Sequence, residues 1–261
     1  ATSDSSKVWM DVTDPYVTSA FLIAQDSSYR NTQEKDGYQL AKPDDTITLQ
    51  FETSERVQTP SKLTINNETA LTVSAQSNDS SGMKWEAVYT VSGIDTDSAA
   101  SFSITGFEDP SGNRMSSTDR SYVESTSDSS RVWMDVTDPY VTSAFLIAKD
   151  SSHQDPDHDY QLAKADETIT LQFETSERVE TPSQLTINDQ TALSVSALST
   201  DSSGTQWEAV FTVSGITSDS FFSFDITDFE DPSGNRMSST DRSYVESTSD
   251  SSRVWMDVTD P

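Results

Sequence analysis

The stretch VWMDVTDP occurs three times in this chain, at residues 8–15, 132–139 and 254–261. Two long bodies of sequence lie between the copies, and these bodies match each other. Residues 3–26 return almost letter for letter as 127–150, and residues 108–139 return unchanged as 230–261. Self-similarity of this kind is the signature of tandem structural repeats, so the chain is predicted to contain two of them.

Each repeat reads as a row of β-strands. Apolar and polar residues alternate in short runs that turn signals such as KPDD and DPSGN separate, which is the period of a half-buried strand. The seven runs of the first repeat are 16–24, 46–54, 61–66, 70–77, 84–92, 101–107 and 131–136. This pattern predicts an all-β chain of tandem seven-stranded immunoglobulin-like β-sandwiches in a linear array, with Trp85 and Trp207 in their cores.

The repeat also sets the domain borders. Residues 14–137 are predicted to be the first immunoglobulin-like repeat and residues 138–261 the second. Residues 1–13 match the terminal strand and linker of a preceding repeat. Two interpretations remain open: the chain is an excerpt of a longer tandem array, or it is a complete subunit whose extra strand completes the sheet of the next subunit.

The charge of the chain limits its partners. Its 44 acidic and 16 basic residues give a net charge of −28, which argues against nucleic acid or an anionic membrane surface as a partner. Cysteine is absent, so no disulfide framework is expected, and no apolar run is long enough to insert into a membrane. So acidic a surface attracts cations instead.

Acidic residues should converge at the borders between repeats. In a seven-stranded sandwich the loop between the last two strands lies beside the start of the first strand, and here both segments are acidic. The predicted carboxylates are Asp11, Asp14, Glu108 and Asp109 at the first border and Asp135, Asp138, Glu230 and Asp231 at the middle one, with Asp95, Asp97 or Asp26 closing the shell. Oxygen ligands without His or Cys select a hard cation, and a loop-built site suits Ca²⁺. The alternative is that these are solvated turn acids.

Three motifs resemble the tandem immunoglobulin-like repeats of large calcium-dependent bacterial surface adhesins. They are the Asp-x-Thr-x-Pro linkers at 11–15 and 135–139, the acidic loops ending in Gly-Asn at 108–113 and 230–235, and the strands of type T-I-T-L-x-F-x-x-S-E at 46–55 and 168–177. The resemblance implies an extracellular, cell-surface extender that calcium stiffens at its linkers. The second Asp of each linker, at 14 and 138, departs from the pattern.

Catalysis has little support in the sequence, and no enzyme activity is expected. The two histidines, His153 and His158, lie only in the loop that differs between the repeats, and no nucleophile motif accompanies them. Glycan attachment is a separate expectation. Its candidate sites are the N-linked sequons at Asn67 and Asn78 and the hydroxyl-rich run at Ser125, Thr126 and Ser127.

Two other functions stay open beside the calcium-stiffened extender. The chain could be a filament subunit that assembles by strand donation and carries glycans. It could also be a carbohydrate-binding accessory module, which would need exposed aromatic side chains on one face. Tyr29 and Tyr38 are candidates for that face, and only Tyr38 has a counterpart in the second repeat, Tyr160.

Overall fold

In a computed structural model, the chain divides into two units, Ala1–Val136 and Thr137–Pro261. The residues that the structure describes are 7–25, 30–31, 37–69, 72–115, 124–149, 159–182, 185–188, 190–191, 194–198, 201–227, 229–237 and 246–259. The strands of the first unit, in chain order, are β1 (Val17–Ala24), β2 (Arg30–Asn31), β3 (Tyr38–Ala41), β4 (Thr46–Thr53), β5 (Lys62–Ile65), β6 (Thr72–Ala75), β7 (Lys84–Thr90), β8 (Ser98–Ala99), β9 (Phe102–Gly106) and β10 (Val132–Met134).

The first unit is a two-layer sandwich. One layer is an antiparallel sheet in the order β1-β4-β7-β6. The other layer contains the sheet β2-β3-β10-β8 and the antiparallel pair β5-β9. Side chains from both layers share one hydrophobic core, in which Trp85 is buried. The predicted immunoglobulin-like fold and the core position of this tryptophan are confirmed.

Strand β4 illustrates how the sequence produces the layer. Its residues TITLQFET alternate in burial, and Ile47, Leu49 and Phe51 are almost wholly removed from solvent. Thr46, Thr48 and Gln50 point to the other side and are half-buried. A strand with period-two alternation can only place one set of side chains in the core, so the pattern fixes which face of the sheet is buried.

The second unit repeats this architecture. Its strands are β11 (Val141–Ala148), β12 (Gln161–Lys164), β13 (Thr168–Thr175), β14 (Leu185–Ile187), β15 (Gln190–Thr191), β16 (Val195–Ala197), β17 (Gln206–Thr212), β18 (Ser220–Phe221), β19 (Phe224–Ile226) and β20 (Val254–Asp257). They form the sheets β11-β13-β17-β16, β12-β20-β18 and β15-β14-β19 around a second core, which buries Trp207.

The predicted strands are all present, and the structure adds short ones. In the first unit these are β2, β3 and β8, of two to four residues. The most important is β3, which pairs in parallel with β10 and so holds the last strand of the unit. Its four residues, YQLA, are too few to establish a period, which is why the sequence pattern missed it.

A carboxylate organises the turn before β7 in the first unit and the turn before β17 in the second. Asp79 accepts hydrogen bonds from the backbone N–H groups of Ser81, Gly82, Met83 and Lys84. Hydrogen bonds from the Ser81 hydroxyl and from Lys84 hold the pKa of Asp79 well below its ordinary value. In the second unit, Asp201 accepts from the backbone N–H groups of Ser203, Thr205 and Gln206, and hydrogen bonds from the Ser203 hydroxyl and from Gln206 lower its pKa.

We expect Asp79→Ala to lower the melting temperature of the first unit by several degrees at pH 7, because four backbone donors lose their shared acceptor. A carboxyl with a lowered pKa stabilises the fold above its unfolded pKa and loses this effect as the pH falls through its folded pKa. The wild type and the variant should therefore converge in strongly acidic solution. Thermal melts against pH test this, with Asp95→Ala as a charge-matched control.

Candidate metal site

Three carboxylates meet where the opening segment reaches the first unit. Asp11 precedes β1, Glu55 follows β4, and Asp109 lies in the loop after β9. One oxygen from each of them lies within 4.8 Å of the others. Two oxygens that bind one Ca²⁺ at about 2.4 Å can be at most about 4.8 Å apart, so the spacing is compatible with a shared cation.

The loop DPSGN builds its side of the site around Asp109. This side chain is buried, and its two carboxylate oxygens accept from the Asn113 backbone N–H and side-chain Nδ2, each at 2.8 Å. Gly112 turns the loop with a φ of 93°, in the left-handed region that favours glycine. Burial raises the pKa of Asp109, but the hydrogen bonds from Asn113 and the loop backbone outweigh it, and the net pKa is lowered.

The opening segment is tied to this loop. The Asn113 side chain donates to the backbone carbonyl of Asp11 at 3.3 Å. The carboxylate of Asp11 accepts from the Thr13 hydroxyl at 2.9 Å, which orients it within its own turn. Asn113 therefore contacts two of the three acidic residues and positions them relative to each other.

Glu55 is the carboxylate of the site whose ionisation is disfavoured by its surroundings. Its pKa is raised by partial burial and then by the neighbouring charges of Asp11, Asp109 and Asp14, against a hydrogen bond from Thr13 that lowers it. A carboxylate in this position is more easily ionised when a cation neutralises its neighbours. The site thus has both the oxygen ligands and the excess negative charge that a hard cation would balance.

Glu55 is not among the carboxylates that the sequence predicts at this border. The sequence predicts that Asp11 and Asp109 lie together, but with partners from the linker and the loop. The signal that could have found Glu55 is its place at the end of the T-I-T-L-x-F-x-x-S-E run, since β4 ends on the same side of the sandwich as the loop after β9. The sequence repeats the three residues as Asp135, Glu177 and Asp231.

Other predicted ligands have different surroundings. Glu108 lies 3.9 Å from the Arg114 guanidinium and pairs with that residue in a β-bridge, so it is not one of the three. Asp14 is exposed and acts on Glu55 through its charge. Asp97 accepts from the backbone N–H of Val136 at 2.9 Å and thereby secures the end of β10. Asp95 is exposed, and Asp26 lies outside the described residues.

In the second unit, Asp231 repeats the role of Asp109 within its loop. It is buried and accepts from Ser233 N–H at 2.7 Å and from Asn235 Nδ2 at 2.8 Å. Here burial dominates the hydrogen bonds, and the pKa of Asp231 is raised. Glu230 forms a β-bridge with Arg236, as Glu108 does with Arg114, and Asp138 is exposed.

The residues predicted as glycan attachment sites differ in their exposure and in their hydrogen bonds. Asn67 and Asn78 are exposed in turns, whereas the Thr126 hydroxyl donates to Ser130 and the Ser127 hydroxyl to Ala20. Ser125 is exposed. Attachment of sugar at these residues stays a prediction.

The aromatic side chains considered for sugar binding pack against neighbours. The Tyr38 ring meets Trp133 edge-on at 5.8 Å, and the Arg131 guanidinium covers it at 4.3 Å. Tyr160 packs against Phe221 at 5.4 Å. The Arg131 guanidinium therefore occupies one face of the Tyr38 ring, on which a sugar ring could otherwise stack. Tyr29, like His153 and His158, lies outside the described residues.

In the part of the chain that the structure describes, no helix has the length and apolarity needed to cross a membrane.

No protein-family model and no curated protein sequence matches the chain. Several solved structures of tandem immunoglobulin domains are similar to it. The I-band fragment I67–I69 from titin matches 95% of this chain and 66% of its own length, with a TM-score of 0.40 and 6% identity.

Two further solved structures are similar to the chain. Yersinia pseudotuberculosis InvD matches 92% of this chain and 58% of its own length, with a TM-score of 0.32 and 13% identity. The tandem Ig repeats of Dlar match 95% of this chain and all of their own length, with a TM-score of 0.24 and 7% identity. Identities this low transfer no function, and the immunoglobulin-like assignment rests on the strand order of the chain itself.

Proposed function

We propose that the chain is a non-enzymatic extender, made of tandem immunoglobulin-like repeats of an extracellular, cell-surface fibre or adhesin, and that Ca²⁺ stiffens its borders. The observation that carries the proposal is the convergence of Asp11, Glu55 and Asp109 within 4.8 Å. Asp11 belongs to the segment VWMDVTDP, which recurs at every repeat border. A cation held there would tie the border segment to the body of the following repeat.

Electrostatics supports this role. A chain with a net charge of −28 repels itself, and three carboxylates in one place add a local penalty. Ca²⁺ removes that penalty and supplies bonds that are lost when the border segment detaches, so its binding stabilises the attached state. Without the cation, repulsion loosens the border. The high negative charge would also keep neighbouring fibres apart.

The same proposal extends to the middle border through the sequence repeat alone. We expect added Ca²⁺ to raise the melting temperature and to sharpen the small-angle scattering profile of the full chain toward a more extended particle. Asp135→Ala combined with Asp138→Ala should remove the scattering response. Mg²⁺ at equal ionic strength is the control, because it demands stricter octahedral geometry than a loop-built site offers. Identical profiles with chelator and with millimolar Ca²⁺ would contradict calcium stiffening.

A further inference from the structure

Strands β1 and β11 each lie at the end of a sheet. In the orders β1-β4-β7-β6 and β11-β13-β17-β16, each of them pairs, within the described residues, with one neighbouring strand. Both have the sequence VTSAFLIA, which contains no charge, proline or glycine, and Ile23 and Ile147 are 36% and 40% exposed. An uncharged apolar edge strand is a template on which another chain can pair, so its outer edge needs protection.

The side chain of Gln39 bonds to the outer edge of β1. Gln39 lies in β3, in the other layer of the sandwich. Its Nε2 donates to the Leu22 carbonyl at 3.0 Å, and its Oε1 accepts from the Ala24 N–H at 3.1 Å. A primary amide has both a donor and an acceptor, so it can replace a peptide group of a neighbouring strand.

The hydroxyl-rich insert at residues 125–130 bonds to the same edge. Ser127 donates to the Ala20 carbonyl from its backbone N–H at 2.9 Å and from its hydroxyl at 3.1 Å. The Ser130 hydroxyl accepts from the Leu22 N–H at 2.9 Å. Together with Gln39, the insert therefore satisfies two carbonyls and two N–H groups of β1 that do not face β4.

The second unit repeats this arrangement on β11. Gln161, Ser249 and Ser252 make the same five hydrogen bonds there, at 2.8–3.0 Å. The arrangement is kept although the loop before β3 differs in length from the loop before β12. Both copies of the uncharged edge strand are thus covered by side chains and by the insert.

We propose that these groups form an edge cover, which prevents β1 and β11 from pairing with the same strands of a second copy of this chain. The edge cover consists of Gln39 and residues 125–130 in the first unit, and of Gln161 and residues 247–252 in the second. It supplies hydrogen bonds that a pairing strand would otherwise make, so the edge gains little by association. The inference goes beyond the calcium-stiffened border, because it concerns lateral contacts between chains and needs no cation.

The test removes the edge cover from the full chain. The cover variant carries Gln39→Ala, Ser127→Ala, Ser130→Ala, Gln161→Ala, Ser249→Ala and Ser252→Ala. Sedimentation velocity is measured in chelator with about 1 M sodium chloride, which shortens the Debye length to about 3 Å and so screens the repulsion between acidic chains. The cover variant should form dimers and larger species as its concentration rises. The wild type should stay monomeric, as should the control Ser129→Ala with Ser251→Ala, which changes exposed serines of the same inserts.

A further pair of substitutions separates edge pairing from aggregation through unfolding. Ile23→Lys with Ile147→Lys charges both edge strands at partly exposed positions outside the core. Lysine on an edge strand opposes pairing, so adding this pair to the cover variant should return it to monomers. An exposed lysine does not restabilise a core, so it would not prevent aggregation that unfolding causes.

A smaller variant covers the case in which the six substitutions prevent folding. Ser130→Ala with Ser252→Ala frees only the Leu22 and Leu146 amides, and hydrogen exchange follows these two sites. Their exchange should be about tenfold faster than in the wild type in dilute solution and should slow again as the concentration rises. A folded cover variant that stays monomeric, association that the lysines do not reduce, or exchange at both amides that equals that of the wild type would overturn the proposal. All arms run in chelator, so the outcome is independent of the calcium proposal.

Discussion

Met134→Ala is expected to lower the free energy of unfolding of the first unit by about 2–5 kcal/mol, whereas Met10→Ala should change it by less than about 0.5 kcal/mol. The two methionines stand at the same position of the same eight-residue segment. Met134 lies in β10 and is 1% exposed, while Met10 is 82% exposed. Removing a buried thioether side chain leaves a cavity, and removing an exposed one does not.

Denaturant unfolding of the full chain measures both effects, and Met256→Ala gives the matched result in the second unit, where this side chain is 0% exposed. The three variants change the same letter in three copies of one motif. Equal destabilisation by Met10→Ala and Met134→Ala would mean that the opening segment is packed like the other two copies, contrary to the structure.

Glu55→Gln should have opposite effects with and without calcium. In chelator the substitution removes a charge that lies beside Asp11 and Asp109, so a small rise in melting temperature is expected at pH 7. With calcium it removes a ligand, so the stabilisation that the cation gives to the wild type should largely disappear. When the free Ca²⁺ concentration is a hundred times the Kd of the site, that stabilisation is about 2.7 kcal/mol.

The pH dependence follows from the raised pKa of Glu55. A carboxyl whose folded pKa is raised favours the folded state fully below its unfolded pKa of 4.5, and this contribution is lost as the pH rises through the folded pKa. In chelator, the advantage of Glu55→Gln should therefore appear only above that window. Thermal melts from pH 4 to pH 8 measure it. An advantage that is constant across this range would contradict the electrostatic account of the site.

Most of the fold was predictable because each long strand carries its own pattern. The alternation in β4 and its copy β13 identifies their buried face without reference to the rest of the chain. The short strand β3 was not predictable, because its four residues are too few to show a period and its pairing with β10 joins segments nearly a hundred residues apart. A contact between distant segments leaves no local period in either of them.

The candidate site was predictable in part for a similar reason. The acidic linker and the acidic loop are conspicuous in the sequence, and strand order alone brings Asp11 near Asp109. Glu55 sits at the end of a strand among many acidic residues, and only the three-dimensional turn, in which the Thr53 hydroxyl donates to the Glu55 carbonyl at 2.7 Å, directs it to the site. Glu108 shows the converse, since it neighbours Asp109 in sequence but faces Arg114.

The most direct test of the central claim is a calorimetric Ca²⁺ titration of the full chain at pH 7. It compares the wild type with the triple variant Asp11→Asn, Glu55→Gln, Asp109→Asn, and with the charge-matched control Asp14→Asn, Asp95→Asn, Glu108→Gln. Both variants remove three negative charges from the first unit. We predict that the control keeps every calcium site of the wild type and that the triple variant loses one. Absence of binding to the wild type at millimolar Ca²⁺, or equal loss in both variants, would contradict a specific site.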